Sequence, residues 1–585
     1  MLNDPINRVL YIDLSRLRSW AEERPQLFSQ AMGGAGVGIH LLQEECAVDD
    51  EPLSPQTPII FAVGPLVGHF PLASKTIAIF KSPHTGNYGE SHAGGRSAIS
   101  IRMAGYGALV IRGKSNHPVY IVIEDDNVIF KDASALWGMR SSYTVGSVLR
   151  SREFGSGLRS IMRIGRAGER KISYACVITE TYRHFGRLGL GAVFGSKNLK
   201  ALIVSGKRSL PITQRKLYRQ VYDQIYRAAV ESPLMKKYHD LGTAMNILPL
   251  NQIGALPTHN LQAGRFKGAK NISGENLAAE YLGRRVACAH CPVACIHLAA
   301  LRTPYPDDPY FYKTSMIAYD HEPVFAMGSL LGIDHVPGLL QLIDEAEVQG
   351  LDVMSTGGVL AWATEAQHSG LISTKETDGL SFDWGDYETF ITATKKIVLQ
   401  PTQFYTALAK GVEFAASRYG GAEFALSFGG NEMPGYHTGP ACHLGYLSGA
   451  RHSHLDSAGY SIDQQPAKKS EPLTPQAVAD YLLKEERWRQ VLSSLVVCFF
   501  ARGIYTPELI SEALASIGQT FSPEELTSLG TGILKQKHTF KHQHGFDLKQ
   551  IRIPQRILDT PSPHGKIEKT FMRQTLELIE KAYQS

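Results

Sequence analysis

In Ala201-Leu-Ile-Val-Ser-Gly-Lys-Arg-Ser-Leu-Pro-Ile-Thr-Gln-Arg215-Lys-Leu-Tyr-Arg-Gln-Val-Tyr-Asp-Gln-Ile-Tyr-Arg-Ala-Ala-Val-Glu231, a short apolar run gives way, after Ser209-Leu-Pro, to apolar residues at helical spacing. Before this point the sequence reads mostly as strand. Val9 to Ile12, Thr76 to Phe80, Ala108 to Ile111 and Val119 to Ile123 are short apolar segments divided by glycine-rich turns, as an antiparallel β domain requires. One helix is expected among them, Ser15 to Ala31, broken at Pro25. Beyond it, helical periods recur at Gly338 to Gln349, Val359 to Ser369, Pro475 to Cys498, Glu508 to Ile517 and Lys566 to Tyr583. The expected architecture is multidomain α+β: a mostly antiparallel β domain over 1–208, then two α-helical domains over 209–400 and 401–585.

Composition agrees with a folded chain of that size. The 585 residues are 43% hydrophobic and 20% charged, enough for about three to four domains without disulfide staples. A formal charge of +5, spread over so large a surface, implies neither a nucleic-acid nor an anionic-membrane partner. The N-terminus has Asp4 and no apolar core of signal length, and the longest apolar runs fall far short of the roughly 20 residues of a spanning helix. Seven cysteines, an odd number, suit reduced thiols or metal ligands in a reducing cytoplasm better than a disulfide framework.

Three of those thiols stand together in Val286-Ala-Cys288-Ala-His-Cys291-Pro-Val-Ala-Cys295-Ile-His297. The C-x2-C-x3-C spacing suits an iron–sulfur cluster, because soft thiolates match iron and one loop can present several ligands to one cluster face. Two blander readings compete. The offsets would also place three small hydrophobes on one side of a helix, although Pro292 opposes that. A zinc site could use His290 or His297, although structural zinc motifs usually pair two ligands with two more at similar spacing. Spacing alone does not choose a fourth ligand from the remaining cysteines.

Glycine-rich segments invite nucleotide readings that fail on detail. Gly33-Gly-Ala-Gly-Val-Gly38 lacks the preceding strand and the G-x-G-x-x-G spacing of a dinucleotide site. In Gly186-Arg-Leu-Gly-Leu-Gly-Ala-Val-Phe-Gly-Ser-Lys-Asn198 the lysine does not directly follow its glycine as a P-loop needs, but Arg187 could clamp a phosphate. The alternative is a pair of tight turns.

Taken together, Gly64-Pro-Leu, Ser91-His-Ala-Gly-Gly95, Ala104-Gly-Tyr-Gly107, Gly186 to Lys200, the three-cysteine segment and Gly350-Leu-Asp352 resemble, in order and spacing, the aldehyde ferredoxin oxidoreductase family nearly end to end. The resemblance implies a β base domain under a tungsten- or molybdenum-bis-pterin cofactor, with Mg2+ able to bridge the pterin phosphates, and two helical domains covering it. It also implies one [4Fe–4S] cluster, with Cys498 of Ser-Leu-Val-Val-Cys498 as fourth ligand beside Cys288, Cys291 and Cys295. Cofactor contacts carried over by motif are Lys75, His92, Gly94, Arg187, Leu188, Glu347, Asp352, Val353, Ser493 and Phe499. Departures from the family pattern stand at several of them. Lys75 replaces an arginine and loses its two-pronged donor, His92 stands for an asparagine, Glu347 opens a D-x-x-G-L-D pattern, and Ser493 stands for an aspartate.

The implied reaction is oxidation of an aldehyde to a carboxylic acid with water, electrons leaving through the cluster to ferredoxin or a partner subunit; a homodimer is compatible with it. Such chemistry needs an acid and a base. Glu322, in Asp-His-Glu-Pro-Val-Phe-Ala-Met-Gly328, matches the family's glutamate near the metal; its bland reading is an ordinary helix N-terminal acid. His437 and His443 lie where the family places a substrate-site histidine, and His443 is preferred. Arg451-His-Ser-His-Leu-Asp456 reads either as a metal site or as a polar loop lining the substrate channel. The competing class is a cluster-bearing electron-transfer or assembly subunit that has lost its pterin chemistry.

Overall fold

The computed structural model describes residues 5–153, 155, 158–180, 182–305, 307–464 and 473–584. By contact the chain sorts into two units, neither continuous in sequence: 1–235 with 287–293 and 484–547, and 236–286 with 294–483 and 548–585. These cut across the consecutive segments read from sequence, because 287–293 and 484–547 return to the first unit.

The first unit is built on two six-stranded sheets. One orders β2 (Arg18–Glu23), β1 (Arg8–Asp13), β6 (Ala108–Arg112), β3 (Ile59–Ala62), β4 (Thr76–Lys81) and β5 (Tyr88–Ala93). The other orders β11 (His184–Phe185), β10 (Val177–Ile178), β9 (Leu158–Ile164), β12 (Leu199–Gly206), β7 (Val119–Glu124) and β8 (Asn127–Asp132). Among the described residues only the β1–β6 and β12–β7 pairs are parallel, so the mostly antiparallel expectation holds. Alternation along β7 and β12 sorts the side chains: Ile121, Ile123, Leu202 and Val204 enter the large core, whereas Tyr120, Val122, Ala201 and Ile203 pack under the Ser142–Arg152 helix. Phe61 meets Phe185 and Phe194 edge-on within that core.

The expected Ser15–Ala31 helix is corrected. Leu17 takes a left-handed backbone (φ 48°), the chain reverses, and β2 pairs antiparallel with β1, Tyr11 opposite Trp20 with rings stacked 5.4 Å apart. Only Pro25–Ala31 is helical, with Pro25 in its first turn, where a missing N–H costs nothing. The cross-strand aromatic pair outweighs the helix-like charge pattern.

In the second unit the Val353–His368 helix is buried from Val353 through Ala366, and it packs with the His321–Met327 helix. Its Gly357 and Gly358 leave no room for a Cβ beside Ala326 and Glu432. A three-stranded antiparallel sheet, β13 (Leu282–Val286), β14 (Ile296–Tyr305) and β15 (Asp308–Tyr319), stands in the region read as helical. Among the described residues no single helix is long and apolar enough to cross a membrane.

Candidate functional site

The cysteine segment is a loop. His290 and Ala294 adopt left-handed backbones (φ 56° and 51°), which no helix accommodates, and Cys288, Cys291 and Cys295 are half-buried, so the apolar-stripe reading fails. Leu72, itself left-handed, brackets the loop from the β domain: its N–H donates to the His290 carbonyl at 3.1 Å, and its carbonyl accepts from the Cys498 N–H at 2.9 Å. One residue thereby ties the segment bearing Cys288 and Cys291 to the segment bearing Cys498. Ala289 N–H adds a bond to the Gly95 carbonyl at 2.9 Å, and Tyr505 donates to the Pro71 carbonyl. Cys288 Sγ lies where a Cβ on Gly94 would come within 2.7 Å, so glycine is required for the thiol to reach its place.

Burial sorts the seven thiols. Cys46, Cys176 and Cys442 are buried, and burial pushes the Cys46 and Cys442 thiols up to about 11 and about 12, which disfavours the thiolate needed for ligation. The four half-buried cysteines, Cys288, Cys291, Cys295 and Cys498, are the set carried by motif. Of the two histidines the zinc reading offers, His297 is engaged elsewhere: it bonds through Nε2 to the His239 carbonyl at 2.8 Å and through Nδ1 to Tyr319 at 3.3 Å. Among the described residues no three His, Cys, Asp or Glu side chains converge to hold a single metal ion. By chemistry alone, four half-buried thiols are donors of the kind that iron–sulfur groups use.

The segment before Cys498 explains the glycines that resembled a dinucleotide loop. Gly33 and Gly34 start the Gly34–Glu45 helix directly against the carbonyls of Ser493 and Ser494, and a Cβ on Gly64 would lie 2.5 Å from the Leu495 carbonyl. The Gly36 N–H donates to Ser494 Oγ at 3.1 Å. These glycines admit close backbone approach rather than a nucleotide. Phe499, 4% exposed, lies between two cations, with Lys75 Nζ 5.6 Å and Arg489 Cζ 5.3 Å from its ring centroid. The His92 ring is 5.9 Å from the same phenyl, and its Nε2 lies 2.6 Å from Glu90, which also accepts from Tyr88 and Lys537. Arg187 is half-buried, followed by left-handed Leu188 (φ 71°), whose carbonyl accepts from Ser82. Lys75, Arg187 and Arg489 are thus cations of the first unit, two of them packed on Phe499.

In the second unit, buried Asp352 caps the Val353–His368 helix, accepting from Met354 and Ser355 N–H at 3.3 and 3.1 Å and from Ser355 Oγ at 2.6 Å. The same hydroxyl reaches Glu432 at 2.6 Å. Glu347 is buried at the end of the Val336–Gln349 helix, beside Asp344, whose carboxyl is pushed up to about 6 by burial and then by Glu347. Both carried-over carboxylates are therefore buried, and Asp352 spends its stronger bonds on the helix start.

Glu322 is no mere helix-start acid. Its Oε2 accepts from the Gly435 N–H at 2.9 Å, and its Oε1 lies 3.4 Å from His454 Nδ1, with both side chains under 15% exposed. Aromatic rings close around them: Tyr436 lies 5.3 Å from His454, 4.7 Å from Tyr460 and 4.7 Å from His321. The histidine that meets Glu322 is thus His454, which sequence placed only in a polar loop or metal motif. The metal reading of that motif is corrected, because Asp456 accepts from Arg451 Nε at 2.6 Å and from the Arg451 and Ser453 N–H groups.

His437 and His443 form a pair of their own, Nδ1 to Nε2 at 2.8 Å. His437 Nε2 faces the Thr560 carbonyl at 3.1 Å and must carry hydrogen there; its Nδ1 then accepts from His443 Nε2–H, which assigns His443 Nδ1 as the bare basic nitrogen. That nitrogen is buried without a hydrogen bond, and the ring stacks 5.6 Å from Phe428. Burial holds His437 down at about 4 and His443 well below its ordinary value. A surface groove of about 760 Å3 lined by Phe28, His40, Phe521 and Ile533 contains none of these residues.

Comparison with known proteins shows the family. Residues 9–206 match the model for the aldehyde ferredoxin oxidoreductase N-terminal domain, and residues 220–585 match domains 2 and 3 of the same family. The tungsten-containing aldehyde ferredoxin oxidoreductase of Thermococcus kodakarensis is 31% identical over 95% of this chain and 92% of its own. The protein of that name from Pyrococcus abyssi is 31% identical over 91% of this chain and 88% of its own. In fold, the active-site complex BamBC of benzoyl coenzyme A reductase, solved with 1,5-dienoyl-CoA, superposes with a TM-score of 0.84 at 20% identity, covering 99% of this chain and 94% of that one. A match running through both the β unit and the helical remainder, over the cysteines and glycines just described, has one consequence: the chain belongs to the aldehyde ferredoxin oxidoreductase family and is an oxidoreductase of that kind.

Proposed function

We propose that this protein is a tungsten bis-pterin oxidoreductase that converts an aldehyde and water to a carboxylic acid, releasing two protons and two electrons. The electrons leave one at a time through a [4Fe–4S] cluster to a ferredoxin-type acceptor. The observation that carries the reading is the Leu72 bracket, which draws the Cys288–Cys291 loop and Cys498 onto one residue of the β domain. Cys295 completes the ligand set by its place in the motif. Molybdenum in place of tungsten, and Mg2+ beside the pterin phosphates, belong to the same proposal.

When bound, the metal–pterin group supplies the two-electron oxidation. The chain supplies position and protons. Lys75 and Arg187 are proposed to hold pterin phosphates, Glu347 and Asp352 to accept from pterin N–H groups, and Phe499, His92, Gly94, Leu188, Val353 and Ser493 to shape the surroundings. Glu322, steadied by the Gly435 N–H, faces His454 across 3.4 Å. A proton received at one can pass to the other, and Tyr436 and Tyr460 pack beside His454. His443, whose Nε2 is held by His437 Nδ1 and whose Nδ1 stays bare, is the second proton-handling group.

Metal analysis of the purified protein together with aldehyde-dependent reduction of a dye acceptor tests this. We expect about one tungsten or molybdenum and about four irons per chain, with turnover. Iron without either heavier metal, and no turnover, would refute it.

A further inference from the structure

The Arg215–Glu231 helix carries Tyr218, Tyr222 and Tyr226 at four-residue spacing, one above another on one face. Their rings are in contact, 5.9 Å between the first pair and 6.3 Å, nearly parallel, between the second. The inner end of this ladder reaches the cysteine region. Tyr218 packs 5.2 Å from Phe70 and donates its hydroxyl to the His69 carbonyl at 2.8 Å, two and three residues before the Leu72 bracket. The wholly buried Tyr505 phenol donates to the Pro71 carbonyl, one residue before the Leu72 bracket.

The outer end is open. Tyr226 is 43% exposed, Val230 continues the stripe at 54%, and Leu234, in the next helix, is 42% exposed. Around it the helix presents Arg215, Lys216, Arg219 and Arg227 against two acids, Asp223 and Glu231, all exposed. A small apolar centre with a rim of net positive charge suits a transient electron-transfer interface, where charge steers encounter and little area is buried.

We infer that the exposed face of the Arg215–Glu231 helix around Tyr226 is the docking surface for the electron acceptor, a small acidic iron–sulfur protein, and that the tyrosine ladder is the packed medium between it and the cysteine site. The inference rests on the function proposed above. In the step itself one electron passes from the reduced cluster to the oxidised iron–sulfur centre of the partner; no bond forms or breaks, no proton moves, and the tyrosines stay reduced.

The experiment compares the holoprotein with its Arg219→Glu/Arg227→Glu variant, using an acidic [4Fe–4S] ferredoxin as probe. Association measured by calorimetry at low salt should weaken by about tenfold or more, and the fall of affinity with salt should become shallower. Reduction of the ferredoxin should slow in step, with dye reduction at the wild-type rate. A control, Arg150→Glu/Arg152→Glu, reverses exposed charges elsewhere in the same unit and should bind as the wild type does. Tyr226→Ser should weaken binding without altering the salt dependence. Equal affinity and salt slope in wild type and the Arg219/Arg227 variant, an equal loss in the control, or no binding to the wild type would each overturn the docking surface. If binding falls as expected but the wild type turns over no aldehyde even with the dye, the docking surface stands and the proposed function falls.

Discussion

At the scale of single residues, Glu322 and His454 carry the sharpest expectation. A positioned acid or base contributes about 10²–10⁴-fold, so Glu322→Gln, which keeps length and the Gly435 bond, should lose turnover in that range while retaining its metals. If proton transfer runs through the pair, His454→Gln should lose as much, and the double variant little more than either alone. His443→Gln, measured in the same assay, shows whether the His437–His443 pair joins the reaction; unchanged kcat across pH would restrict that pair to packing. The buried histidines also set the acid limit of stability. His321 and His437 are held at about 4 by burial, against an unfolded value near 6.5. Between those values the unfolded chain binds more protons than the folded one, so stability is full above about pH 6.5 and declines as pH falls towards 4. Thermal unfolding followed across that range should show Tm dropping on acidification, and His437→Gln should flatten the drop.

At the scale of elements, close backbone approach is what the glycines provide, and each can be challenged by one methyl group. Gly94→Ala would push on Cys288 Sγ, and it should lower iron content while leaving the β sheets intact by circular dichroism. Gly64→Ala would press on the Leu495 carbonyl and displace the run towards Cys498; overpacking of this kind costs about 1–3 kcal/mol, so chemical denaturation should show a loss of that order. Elements with a strong period were legible from the residues alone. Arg215 to Glu231 was read with its ends in place, and Val119 to Ile123 and Ala201 to Val204 fall inside β7 and β12. The hairpin of β14 and β15 was not legible, because Pro304, two aspartates and exposed aromatics interrupt any alternation. Neither was β2, whose residues are mostly exposed and whose strand state comes from pairing with β1.

For the molecule as a whole, cofactor content is the integrating measurement. Cys498→Ser should sharply reduce the broad iron–sulfur absorbance, and a full four-iron complement in that variant would remove Cys498 from the ligand set. Arg187→Ala should lower pterin and tungsten in parallel, because a phosphate clamp holds the group as a unit. The sequence by itself determined the β-then-helix order, the three-cysteine loop and the family, since these rest on local spacing and on motifs that keep their order along the chain. It also singled out Glu322. Only the tertiary structure decided that Leu72 joins the two cysteine segments, that Gly33, Gly34 and Gly64 serve backbone contact, and that the histidine facing Glu322 is His454. The reason is physical: each of those facts is a meeting of residues far apart in the chain, and no local period or spacing records which distant segment folds back upon which.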